Sequence, residues 1–138
     1  MVETTSGLRA ALAEASAPEW SVRVRAARGL ASFADVPEAG AALVGLLLDA
    51  ADTAVTRRAA EALARVGTVA AVRILALAVA EADDSQADWM QTGVQDVMAE
   101  PDGAPGLAAV CGQLARDPQA AVRRGAAEIS AWTDVTGC

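Results

Sequence analysis

The sequence predicts an all-α protein, one domain of about four stacked helix pairs with one further helix in front of them. Three observations predict it. A short segment recurs about every 33 residues, apolar positions between its copies follow helical spacing, and cap and turn residues separate the copies. No alternating strand pattern of useful length interrupts this reading.

The recurring segment is clearest over residues 22–30, Val-Arg-Val-Arg-Ala-Ala-Arg-Gly-Leu, and residues 55–63, Val-Thr-Arg-Arg-Ala-Ala-Glu-Ala-Leu. Both have Val, then Ala-Ala four and five residues on, then Leu at eight. Residues 122–130 repeat it as Val-Arg-Arg-Gly-Ala-Ala-Glu-Ile-Ser, with Ile129 one place early. Val22 to Val55 is 33 residues and Val55 to Val122 is 67, so one copy between them starts near residue 89. There Trp89 takes the valine position, Gly93-Val94 takes Ala-Ala and Val97 takes the leucine.

Second helices lie between the copies. Leu43, Leu46, Leu47 and Ala50 follow the i, i+3, i+4, i+7 rule. Val72, Leu75, Ala76 and Val79 do the same, as do Leu107, Val110, Cys111 and Leu114. Asp35-Val36-Pro37-Glu38 offers an N-cap, an early proline and a reciprocal glutamate. Gly67-Thr68 reads as a C′ glycine followed by an N-cap. Asp52, Asp84 or Ser85, and Asp117-Pro118 open later helices, and residues 101–106 form the one long breaker cluster.

The predicted helices cover 7–16, 19–33, 37–50, 53–66, 69–82, 86–99, 106–116 and 119–132. Residues 1–138 form a single repeat domain: an N-terminal helix at about 7–16, then repeats at about 19–51, 52–83, 84–116 and 117–134. One helix pair cannot bury its own apolar faces, whereas stacked pairs can. The 36 alanines serve that stacking, because Ala lets helix axes approach closely and has the best helix propensity.

Composition narrows the function. The chain has no lysine, histidine, tyrosine or asparagine. The commonest general base, the Schiff-base amine and the usual zinc ligand are therefore missing. No metal site and no cofactor are expected. Asp83-Asp84 with Asp88 lacks the glycine and late glutamate of a calcium loop. Cys111 follows a core stripe and reads as a buried thiol, with Cys138 a free one. The longest apolar stretch, residues 69–80, is broken by Arg73 and is too short to span a membrane. The first residues, Met1 to Ser6, hold an acid, and no apolar signal core follows them, so a cytoplasmic protein is expected. All eleven basic residues being arginine, with this much alanine, points to a high-GC bacterial genome.

The segments resemble HEAT-like repeats of the variety named after the phycobilisome lyases. The resemblance rests on Val22-Arg23 with Ala26-Ala27 and Leu30, on residues 57–67, and on Asp117-Pro118 with Val122-Arg123-Arg124. It covers residues 19–134, and the third copy departs from the pattern over 85–105. It implies a right-handed α-solenoid, an α-α superhelix of about four HEAT-like pairs. It also implies a protein-binding scaffold, although a few such relatives act on bilin pigments or DNA bases. No catalytic residue of either chemistry has a match in this chain.

Charge marks where binding is expected. Residues 74–115 contain no arginine but hold Glu81, Asp83, Asp84, Asp88, Asp96, Glu100 and Asp102. Those seven acids equal the whole net charge of −7. Their field suits docking of a basic protein. Trp89 and Met90 would supply an apolar anchor, and Gln91 and Gln95, about one turn apart, would add hydrogen bonds. The partner-binding set is thus Asp83, Asp84, Asp88, Trp89, Met90, Gln91, Gln95 and Asp96. The plainer reading makes several acids N-caps on a solvated face and Trp89 a packing residue.

Arg73 and Gln113 are candidates for the inner surface of the superhelix. Arg23, Arg57 and Arg123 read as a ladder, each meeting an acid or carbonyl of the adjacent repeat, rather than as a phosphate stripe. The net negative charge disfavours nucleic acid. The expected function is a non-enzymatic interaction scaffold or adaptor, with an inhibitor or immunity-type partner of a basic protein as its sharpest form. The alternative is a small-molecule-binding or lyase-like enzyme using the inner groove.

Overall fold

The computed structural model describes residues 2–134, with side chains from residue 7 onward. Among them are eight helices and no strand: α1 (Val2–Glu14), α2 (Trp20–Ala31), α3 (Pro37–Leu47), α4 (Thr53–Val66), α5 (Val69–Glu81), α6 (Asp84–Met98), α7 (Leu107–Leu114) and α8 (Ala120–Thr133). This is the all-α repeat architecture expected, with each predicted helix present. Cys138 lies outside the described residues.

Local chemistry sets the helix ends. Asp52 caps α4 by accepting from the Ala54 N–H at 2.9 Å. Gly67 ends α4 at φ +68°, the left-handed conformation glycine adopts without cost. Thr68 then caps α5 through the Ala71 N–H. Asp83 and Gln86 form a reciprocal capping box on α6, with bonds of 2.7 and 3.0 Å. The cap is therefore Asp83, ahead of the predicted Asp84 or Ser85.

Two further predicted openings differ. Asp35 does not cap α3: Val36 holds the N-cap position in an extended conformation and makes no side-chain cap bond. The following proline disfavours helical backbone at Val36, which puts the boundary one residue after the aspartate. Asp117 supports the start of α8 indirectly, accepting from the backbone N–H of Gln119, the N-cap residue.

The helices α2, α4 and α6 stack side by side in one layer. Ala26, Ala27, Ala59 and Ala60 are fully buried in that layer. At the α4–α6 joint the fit is tighter. A Cβ on Gly93 would lie 2.3 Å from the Arg57 carbonyl oxygen and 3.0 Å from the Ala60 Cβ. Glycine thus stands at an alanine position of the repeat because two backbones pass there. In the second layer α3 packs on α5, and α1 covers α2 and part of α3.

Beyond α6 the stacking changes. α7 lies against α8 and α5 and scarcely touches α6, so residues 84–116 do not form a packed hairpin. α8 lies along α5, with only light contact to α6. A Cβ on Gly125 would sit 1.9 Å from the Ala76 carbonyl oxygen, so these two helices also meet backbone to backbone. Contacts advance together along both: Arg73 reaches Asp117 and Gln119, Ala76 meets Gly125, and Val79 and Ala80 share a cleft with Arg124 and Glu128. α5 and α8 therefore run in the same direction.

Candidate interaction surface

The acidic window of the sequence divides in two once folded. Asp96 on α6 and Glu100, two residues past the end of that helix, both face α4. Asp96 accepts from the Arg57 Nε at 2.7 Å, and Glu100 pairs with Arg65. Between those arginines Glu61 is buried, 6% exposed, with Arg58 bonded to it and Arg57 and Arg65 each 3.9 Å away. Three arginines and three carboxylates thus cluster here, with Arg57–Asp96 and Arg65–Glu100 crossing from α4. Arg57 beside it holds the Asp96 carboxyl below its ordinary value. Asp96, expected to face a partner, is instead engaged within the fold.

The other acids of the window remain on the surface. Glu81, Asp83, Asp84 and Asp88 are exposed around the corner where α5 turns into α6. Among the described residues none of the four is in an ion pair, although Asp83 is occupied as a cap. Asp84 and Ala87 also line a cleft of about 250 Å³ whose far wall carries Arg124 and Glu128 of α8. One exposed cation therefore stands near the corner.

The uncharged candidates separate by helical geometry. Met90 is fully buried, so it belongs to the core and not to a contact surface. Its position lies on the same face as Gly93, Val94 and Val97, all buried. Trp89 is half-buried at the edge of that face, whereas its counterpart Val55 is fully buried. Gln91 and Gln95 are half-buried on the same helix.

The two inner-surface candidates also part. Arg73 donates to both carboxylate oxygens of Asp117, at 3.0 and 3.3 Å, and to the Gln119 side chain at 2.9 Å. This fork ties α5 to the start of α8 and holds the Asp117 carboxyl below its ordinary value. Gln113 is exposed on α7. Arg73 borders an open groove of about 400 Å³ between α3 and α5, lined by Val36, Val44, Ile74 and Leu77.

The arginine ladder is less uniform than expected. Of Arg23, Arg57 and Arg123, Arg57 alone reaches an acid of the next repeat. Arg23 turns back to the Ala17 and Pro18 carbonyls while pairing with Asp49 at 2.9 Å. Arg123 likewise donates to the Asp117 and Pro118 carbonyls. The shared Pro-x₄-Arg spacing leaves carbonyls free in the loop before the helix, and the arginine satisfies them.

Sequence reasoning overlooked Glu61, although Arg57-Arg58-x-x-Glu61-x-x-x-Arg65 carries the i, i+3 and i+4 spacing that places these charges together. It also overlooked Trp20, 51% exposed in the first turn of α2. Cys111 is buried, and burial pushes its thiol pKa up, away from reactivity. Among the described residues no group of three His, Cys, Asp or Glu could hold a metal ion, and no helix is long and apolar enough to cross a membrane.

Comparison with known proteins returns one family. The profile of HEAT repeats matches residues 6–90, from α1 into the middle of α6. The match is to HEAT repeats as a whole; the lyase-named variety is a finer assignment than it makes. No curated protein and no solved structure matches the chain.

Proposed function

This chain belongs to the HEAT-repeat family, whose members commonly serve as protein-interaction scaffolds, and from that premise we propose that it is a non-enzymatic scaffold that holds a basic protein partner. The contact surface is the corner formed by Glu81, Asp83, Asp84 and Asp88, with Trp89 at its edge. One observation carries this reading. The fold neutralises Asp96 and Glu100 with arginines of α4 but leaves the acids at the start of α6 unpaired and exposed. Unpaired surface charge of one sign steers association and sets specificity, and salt weakens it. A half-buried tryptophan beside it offers apolar area at small entropic cost. An inhibitor of a basic effector would use such a surface, and a cytoplasmic, bacterial setting suits it.

The test is capture from the native lysate at low and high salt with wild type and with Asp84→Arg/Asp88→Arg. Asp83 is left intact because it caps α6. The reading expects a basic protein retained at low salt, released at high salt and lost by the variant, with the unfolding midpoint unchanged. Retention of the same partner by the variant would sink it, as would the absence of any captured partner at either salt.

A further inference from the structure

We draw no further inference here: the strongest candidate, the open apolar groove between α3 and α5 lined by Val36, Val44, Ile74 and Leu77, carries nothing because nothing in the structure shows what covers it.

Discussion

Helices α4 and α8 carry the same motif and bury different faces of it. In α4, Val55, Ala59 and Ala60 are wholly buried, and so is nearly every residue from Ala59 to Ala64. In α8, Val122 and Ala126 are buried, but Ala127, the counterpart of Ala60, is exposed. Gly125 is buried instead, at the position where α4 presents the partly exposed Arg58. The buried residues of α8 are Val122, Gly125, Ala126, Ile129 and Trp132, a single stripe. α4 lies between α2 and α6 and also packs on α3 and α5, whereas α8 rests mainly on α5 and α7. The motif specifies a helix with small residues on it, while the number and direction of neighbours choose which small residues are covered.

Gly125→Val should have the largest effect on α8. Its Cβ meets the Ala76 backbone, which cannot swing aside as a flexible side chain could. Overpacking at such a crossing should cost about 3 kcal/mol, read as a lower urea midpoint. A midpoint within error of wild type would mean that α8 does not cross α5 there. Ala60→Leu and Ala127→Leu form a matched pair. The first should cost about 1–3 kcal/mol through overpacking between α4 and α6. The second should stay within about 0.5 kcal/mol, as an exposed substitution. Equal losses would show that both alanines are covered.

Asp83→Ala removes the capping box of α6 and should cost about 1 kcal/mol, measured by thermal unfolding. Gly45→Ala is expected to act in the opposite direction. Gly45 is inside α3 with nothing within 4 Å of a built Cβ, so the better helix propensity of Ala should stabilise by about 0.5–1 kcal/mol. Destabilisation at Gly45 would show a close neighbour.

Acidification should give a gentler, graded change. Arg57 and Arg73 hold the Asp96 and Asp117 carboxyls below their unfolded values. Each stabilises the fold above the unfolded value, and the contribution is lost as pH falls through the lower folded value. Urea midpoints should therefore fall below about pH 4. Asp117→Asn should show a shallower fall than wild type, and an identical profile would disconnect the Arg73 fork from stability.

Much of this was legible in the chain. The 33-residue spacing of Val, Ala-Ala and Leu marks α2, α4, α6 and α8, and Gly67 and Thr68 take the C-cap and N-cap roles their chemistry predicts. These signals are local, so a window of a few residues contains them. The cap before Pro37 falls one residue after the expected Asp35, because the restriction on Val36 outweighs the preference of Asp35. The acidic surface was only half legible. Asp96 and Asp88 look alike along the sequence, yet one meets Arg57 from 39 residues away and the other meets solvent.

From the chain alone it follows that this protein is helical, where its helices lie to within a few residues, and that small residues recur where helices can touch. Backbone preference, capping and apolar spacing act over a few residues and leave that record in the chain. That α8 lies on α5, that Met90 is core, and which acids are neutralised emerge from the folded arrangement. Those outcomes depend on approach between segments distant in sequence, where a missing Cβ at Gly93 or Gly125 admits a backbone and an arginine across the joint cancels a charge.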